Sequence, residues 1–298
     1  MLNNPTVSMM TKKTALIQMH IAAILFGISG IFGNLIVSDA FIISSGRSLF
    51  AILAMTFLTV HFRLIPWRIP LKALHMLVLS GLLLAAHWVS FFHAIKIGNI
   101  AMATLGFACF PACVALFEMI FFKEKISIIE YGLLFCVSIG LIMVTPSFDL
   151  NNGGTIGLIW GVVSGILYGA SVVTNRYNLK LTTGIQICWW QCVIVLIILL
   201  PFSFNQLGSL PKMDWLWIAC LGILCTGLSY YLFISSLIAI NAKTASIIIA
   251  LEPVYAILGA WILFHEAPSL RTIIGGIIII AAVIWAGRQK QTATRNQT

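Results

Sequence analysis

Long apolar runs, separated by short stretches of polar residues, glycine or proline, follow one another along almost the whole chain. Most of these runs reach the roughly 18 residues that indicate a membrane-spanning segment. Backbone polar groups in lipid must be satisfied within their own segment, so the runs are predicted to be helices. The short connections favour a compact bundle in which sequence neighbours are antiparallel. The ten predicted helices lie at about 14–37, 41–60, 73–95, 98–122, 128–145, 155–175, 183–203, 214–236, 244–264 and 270–287.

Composition and charge agree with a membrane protein. Of the 298 residues, 60% are apolar and 8% are charged, against about 45–50% and about 25% in an average soluble domain. The net charge of +9 follows a pattern, because 13 of the 17 lysines and arginines fall on the cytoplasmic side if the N-terminus is cytoplasmic. Cytoplasmic loops of membrane proteins carry such an excess. We therefore predict a multi-pass protein of the inner or plasma membrane with both termini in the cytoplasm, whose basic residues contact anionic lipid rather than nucleic acid.

Neither the cysteines nor the short motifs indicate an enzyme or a metal site. All seven cysteines lie within apolar runs and are predicted to be small packing residues. The sequence lacks a zinc-protease motif, a phosphate-binding lysine loop and a nucleophile elbow. We expect no cofactor, no metal and no catalytic residue. An intramembrane lipid-modifying enzyme and a non-transporting scaffold subunit remain the alternatives to a transporter.

An internal repeat divides the chain into two halves. A shift of 142 residues superimposes Asn99 on Asn241, Pro111 on Pro253, Glu124 on Glu266 and Ser127 on Ser269. Each half, 1–149 and 150–298, holds five predicted helices, and an odd number gives the second half the opposite orientation in the membrane. The sequence therefore predicts an all-α polytopic protein with ten transmembrane helices, built as two inverted five-helix repeats in one membrane domain. Many secondary transporters have this construction and bind substrate near the midplane, where the halves meet.

The repeat resembles a known family. The two-times-five layout, the segments 111–125 and 253–267, and the glutamates 124 and 266 before the last helix of each half are similar to the EamA-type family of the drug/metabolite transporter superfamily. The resemblance implies ten helices and the movement, commonly the export, of amino acids or other small metabolites. The resemblance also implies that this movement is coupled to protons, as it is in some members of the family.

Two features within the predicted helices point to the transport path. Pro111 and Pro253 lie near the middle of the fourth and ninth helices, where each removes a backbone donor and interrupts the helix. Paired breaks at this depth indicate a binding site, and the alternative is a packing kink. Glycines recur every fourth residue from 157 to 169 in the sixth helix. Such a stripe favours close helix packing, with sliding of one bundle on another as the functional alternative.

Three charged side chains lie within the predicted helices, where each needs a partner. Arg47 is either an anchor that reaches the outer interface or a ligand for a substrate carboxylate. Glu118 is expected to pair with Lys123 or Lys125 at the cytoplasmic end. Glu252 lies near the midplane, where burial favours the neutral acid. It is therefore a candidate proton carrier that also meets a positive group of the substrate, and the alternative is a structural carboxyl hydrogen-bonded to a neighbouring helix.

Aromatic and hydroxyl-bearing side chains provide a plausible lining for a substrate pocket. His87 and Trp88 in the first half match Ser229 and Tyr230 in the second, and Tyr168 is expected nearby. Transport sites are typically apolar with a few convergent polar groups. The expected partners are a small-molecule substrate and membrane lipid, and a homodimer is left open. The predicted substrate and proton pathway comprises Glu252, Pro253, Pro111, His87, Trp88, Tyr168, Tyr230 and Arg47.

Overall fold

The computed structural model describes residues 11–61, 67–123, 127–147, 149–237, 239, 240, 245, 248, 249 and 251–295. Every regular element within these ranges is helical. The helices are α1 (Lys12–Leu35), α2 (Ala40–His61), a 3₁₀ turn (Leu71–Ala73), α3 (Leu74–Ile97), α4 (Ile100–Phe107), α5 (Phe110–Phe122), α6 (Ile128–Val144), α7 (Gly153–Asn178), α8 (Gly184–Leu207), α9 (Lys212–Gly222), a π-helix (Ile223–Leu228), α10 (Ser229–Ser236), α11 (Glu252–Phe264) and α12 (Leu270–Arg295). The predicted positions Glu124, Lys125 and Asn241 lie outside the described residues.

Several helix ends follow from local sequence. Asn99 and Asn152 accept hydrogen bonds from the first free backbone N–H groups of α4 and α7. Ser127 with Glu130, and Thr183 with Gln186, form reciprocal capping boxes at the starts of α6 and α8. Each cap satisfies backbone donors that the helix itself leaves without a partner.

Within the described part of the chain, seven helical segments are long and apolar enough to cross a membrane. They are Lys12–Leu35, Ala40–Val60, Leu71–Ile97, Ile100–Phe122, Gly153–Asn178, Gly184–Leu207 and Lys212–Ser236. Three shorter apolar helices, Ile128–Val144, Glu252–Phe264 and Leu270–Ala286, lie within the remaining predicted runs. The protein is therefore a polytopic helical membrane protein, whereas the count of ten crossings stays a prediction.

The first helix of each half packs on helices of the other half. α1 lies against α9, α10 and α11, and α7 lies against α3, α4 and α5. α2 pairs with α8, and α6 pairs with α12. We call α1, α9, α10 and α11 the first packing group, and α3, α4, α5 and α7 the second. All seven cysteines are free and are buried or half-buried.

The glycine stripe of α7 is the contact surface of the second packing group. A Cβ on Gly157 would lie 2.7 Å from Gly98 Cα, and one on Gly161 would lie 2.6 Å from the Ala103 carbonyl oxygen. A Cβ on Gly165 would lie 2.9 Å from the Phe107 carbonyl oxygen. At these positions there is no room for a side chain, because the backbone of α7 packs directly on that of the neighbouring helices. The prediction of close helix packing is therefore confirmed.

Candidate functional site

The fourth predicted helix is broken two residues before its proline. α4 ends at Phe107 and α5 begins at Phe110, with Pro111 in its first turn. The first backbone bonds of α5 run from Ala112 and Cys113 to the Cys109 carbonyl at 3.0 and 3.2 Å. The interruption thus falls where proline cannot donate to the carbonyl four residues earlier.

α11 begins in the same way in the second half. Pro253 lies in its first turn, and the N–H groups of Val254 and Tyr255 bond to the Leu251 carbonyl at 3.0 and 3.2 Å. These are the positions that the shift of 142 residues predicts. A small apolar cavity of about 20 Å³ lies between the two breaks, and both prolines, Phe107, Ile249 and Glu252 line it.

Arg47 is buried in the bundle, with 6% of its surface exposed. Its guanidinium carbon lies 4.3 Å from the centroid of the Trp88 ring on α3 and 5.7 Å from that of Phe92. Its Nε donates a hydrogen bond to Thr226 Oγ1 at 2.7 Å. The interpretation of Arg47 as an anchor at the outer interface is therefore wrong, because its head group points into the protein rather than toward the membrane surface.

Thr226 owes its position to a π-helix that sequence reasoning missed. Within Ile223–Leu228 the hydroxyl of Thr226 donates to the Leu221 carbonyl, five residues earlier, at 3.1 Å. Glycines on either side bring α2 close: a Cβ on Gly222 would lie 2.6 Å from the Arg47 carbonyl oxygen, and one on Gly227 would lie 2.8 Å from Ala54 Cβ. Single π-turns inside helices occur frequently at functional sites. These glycines are the one signal in the sequence that marks the approach of α2.

Glu252 faces the same interior as Arg47. It is the first residue of α11, and its backbone oxygen would lie 2.9 Å from a Cβ on Gly27 of α1. The Arg47 charge and the Tyr168 hydroxyl both interact electrostatically with its carboxyl group. In the described part of the chain this carboxylate has no hydrogen bond and no ion pair within 4.0 Å. The alternative of a carboxyl hydrogen-bonded to a neighbouring helix therefore has no partner there.

His87 and Tyr168 belong to an aromatic cluster beside these charges. The His87 ring lies 4.8 Å from Tyr168 and 5.2 Å from Phe107, and Tyr168 lies 5.3 Å from Phe110, all between centroids. His87 Nδ1 is 2.7 Å from Ser164 Oγ and 3.1 Å from the Ser164 carbonyl oxygen, which fixes the ring against α7. The sequence prediction of an aromatic, hydrogen-bonding wall agrees with this arrangement.

Tyr230 packs against the same buried core as Tyr168 and Trp88. Its ring contacts Phe233 at 6.2 Å between centroids. It borders a second small cavity beside the π-helix, together with Met55, Gly227 and Tyr231. The structure therefore groups Arg47, Trp88, His87, Tyr168 and Glu252 around one interior region and puts Tyr230 next to it.

Glu118 forms an ion pair that the sequence analysis did not predict. Its Oε1 lies 2.8 Å from Arg176 Nη1 on α7, and the Arg176 guanidinium also stacks over Phe122 at 4.7 Å. Among the described residues no ion pair joins Glu118 to Lys123, which has a left-handed backbone, with φ 56°, at the end of α5. The alternative partner, Lys125, lies outside the described residues, so that pairing stays a prediction.

A polar cluster at the other end of the bundle was also missed. The Asp214 carboxylate accepts hydrogen bonds from the backbone N–H groups of Val37 and Ser38, each at 3.1 Å, and from Ser38 Oγ at 2.6 Å. Lys96, the penultimate residue of α3, donates to the Ile36 carbonyl and interacts electrostatically with Asp214. The sequence indicates only that these charges lie in the outer loops. The structure adds that both Lys96 and Asp214 form hydrogen bonds with the turn after α1.

Comparisons with known proteins agree with the architecture. A family model described as the EamA-like transporter family matches residues 13–145 and again 155–288. The uncharacterized transporter YxxF of Bacillus subtilis is 26% identical over 292 residues, covering 95% of this chain and 92% of that protein. The pseudopaline exporter CntI of Pseudomonas aeruginosa is 26% identical over 220 residues, covering 72% and 76%. A solved crystal structure with 16% identity, covering 92% of this chain and 97% of its own, shares the fold with a TM-score of 0.65. The chain belongs to the EamA-like transporter family.

Proposed function

We propose that this protein is a secondary transporter that exports amino acids or related small metabolites across the inner membrane by alternating access, in exchange for protons. The observation that carries the proposal is the Glu252 carboxylate. It is the first residue of α11, it interacts electrostatically with Arg47, and no group in the described ranges bonds to it. An ionisable side chain within a membrane-spanning helix is costly, so a functional role is the default explanation.

Alternating access requires two comparable halves, and three observations support them. The same bonding pattern precedes Pro111 and Pro253, 142 residues apart. The last residues before the following loops, Lys123 and His265, are likewise 142 apart, and both have left-handed backbones. The family model matches twice, once in each half. We infer ten membrane crossings in two inverted repeats, 1–149 and 150–298, with both termini in the cytoplasm.

The direction of transport is supported by the closed outer end of the bundle. With the predicted orientation, Lys96, Asp214 and the turn after α1 lie on the outer side, where their hydrogen bonds join α3 to α1 and α9. A Cβ on Gly33 of α1 would lie 2.6 Å from the Phe92 ring of α3, so the helices also meet tightly there. An outer end closed in this way is the state in which an exporter takes up its substrate from the cytoplasm. The similarity to the pseudopaline exporter adds to this inference.

Proton exchange follows from the chemistry of Glu252. An ionised carboxylate attracts a positive group of the substrate, and a protonated one loses that attraction. If protonation occurs from the outer side after opening, each proton that enters favours release of one substrate. Phe110 occupies the matching position in the first half, so a single titratable group serves both access states.

Transport by the purified protein in liposomes tests the proposal. A panel of metabolites that includes amino acids is offered with and without an imposed pH gradient. We expect gradient-driven uptake by the wild type and loss of the gradient dependence in Glu252→Gln, which keeps the shape of the side chain but cannot change its charge. Glu118→Gln is the matched control, because Glu118 pairs with Arg176 away from the breaks. Wild-type pH dependence in Glu252→Gln would refute proton exchange at this residue, and no transport of any compound would refute the function.

A further inference from the structure

We propose, on the basis of the transport function proposed above, that Arg47 binds a carboxylate group of the substrate. In this arrangement Trp88 and Thr226 are positioning residues that hold the guanidinium for that contact. The substrate class is thereby narrowed to carboxylates that also carry a positive group, such as amino acids and their derivatives.

The first step concerns the donors of Arg47. A guanidinium has five N–H donors in a planar fork. Trp88 covers one face of this plane, and Thr226 takes the Nε donor. The two terminal nitrogens, Nη1 and Nη2, form no hydrogen bond with any residue in the described part of the chain. What remains is the two-pronged end of the fork, which matches the two oxygens of a carboxylate.

The second step concerns charge. A buried guanidinium needs a negative partner, since its hydration is lost on burial. Thr226 is neutral, and Glu252 interacts with Arg47 only through space, without an ion pair within 4.0 Å. The interior therefore holds one positive and one negative group that do not neutralise each other directly. A zwitterion supplies the opposite charge to each, its carboxylate to Arg47 and its ammonium group to Glu252.

The third step concerns rigidity. Rigid donors bind a carboxylate more tightly than mobile ones, because less side-chain freedom is lost on binding. The hydroxyl of Thr226 is itself fixed by its bond to the Leu221 carbonyl in the π-helix. The indole of Trp88 is 5% exposed and packed in the core. Thr226 thus fixes the guanidinium through its Nε atom, and Trp88 fixes it by covering one face. The Nη1 and Nη2 atoms are left for a ligand.

The experiment compares carboxylates with their amides. The full-length protein in liposomes takes up a radiolabelled mixture of L-amino acids, and unlabelled amino acids or the corresponding amino acid amides compete. The amides keep the side chain and the ammonium group but lack the carboxylate. We expect the amides to compete at least tenfold more weakly with the wild type, since a charge-assisted bidentate contact is lost.

Substitutions test whether Arg47 causes this preference for amino acids over their amides. Arg47→Gln is expected to remove it, so that acids and amides compete equally. Because that variant leaves Glu252 without an opposite charge and is at risk of misfolding, Thr226→Val provides a second measurement with little change in shape. Thr226→Val should raise the KM for amino acids by about tenfold with a smaller change in maximal rate. It should also reduce the preference for amino acids over their amides. Thr226→Ser, which keeps the hydroxyl, is the matched control and should retain the preference.

The outcomes separate the two proposals. Uptake of amino acids with amides competing equally in the wild type would overturn the carboxylate contact and leave the transport function standing. An unchanged preference in Thr226→Val would likewise overturn the role of Thr226 as a positioning residue. Uptake of no amino acid but of another metabolite would overturn the substrate class. Transport of no compound would overturn the function and the carboxylate contact together.

Discussion

Replacing Gly161 with alanine probes the tightest contact of α7. The new Cβ would lie 2.6 Å from the Ala103 carbonyl oxygen and 3.1 Å from Gly106 Cα, where ordinary contact begins at 3.4 Å. Both atoms belong to the backbone of α4, so the helix itself has to move. Overpacking of this kind costs about 1–3 kcal/mol, whereas the higher helix propensity of alanine returns about 1 kcal/mol. The net expectation is a loss of up to about 2 kcal/mol.

Thermal unfolding in detergent measures this loss. For a chain of this size about 1 kcal/mol corresponds to roughly 2–4 °C, so the midpoint of Gly161→Ala should fall by several degrees. Gly276→Ala in α12 is the matched control, because its Cβ meets only the Leu105 side chain, at 3.1 Å, and a methyl group of that side chain can rotate away. Its midpoint should equal or exceed that of the wild type. A midpoint for Gly161→Ala above that of the wild type would refute the view of the stripe as a rigid contact.

Three further predictions concern the two ends of the bundle. Asp214→Asn should lower the unfolding midpoint by several degrees, because the three hydrogen bonds to its carboxylate include charge-assisted ones worth about 1.5–3 kcal/mol each; an unchanged midpoint would contradict this. The charge-reversed pair Glu118→Arg with Arg176→Glu should be more stable than the sum of the single variants predicts. The gain in a double-mutant cycle should be small, about 0.2–1 kcal/mol, since Arg176 is half exposed. On a cysteine-free background, Leu150→Cys should react with a membrane-impermeant thiol reagent from outside and Leu179→Cys from inside, and the reverse pattern would overturn the orientation.

The breaks and the glycine stripe could be predicted because their causes are local and covalent. Proline lacks a donor in any environment, so the interruptions near Pro111 and Pro253 follow from the sequence alone. Glycine lacks a Cβ, so glycine at every fourth position of a helix produces a flat surface on one side of that helix. The structure adds only which backbone meets it, namely the end of α3 for Gly157 and that of α4 for Gly161 and Gly165.

The partners of the charged residues could not be predicted, because they depend on how distant helices pack. Arg47 bonds to Thr226, 179 residues away, through a π-helix that no simple periodicity reveals. Glu118 pairs with Arg176, 58 residues away in the sequence. Sequence neighbours were the only candidates available before the packing was known. The identity of a buried charge could therefore be predicted, but its partner could not.

The two ends of the bundle differ in what would have to break for each to open. Lys96 is on α3, in the second packing group, and it bonds to the end of α1, in the first. It therefore joins the two groups at the end that we assign to the outside. At the opposite end the Glu118–Arg176 ion pair connects α5 with α7, which belong to the same group. Relative movement of the groups thus strains the bonds of Lys96 but leaves that ion pair intact. Opening toward the cytoplasm breaks neither of these contacts, and opening outward breaks the one at Lys96. This asymmetry is the one that the proposed export requires, since substrate would have to reach the empty site from the cytoplasmic side.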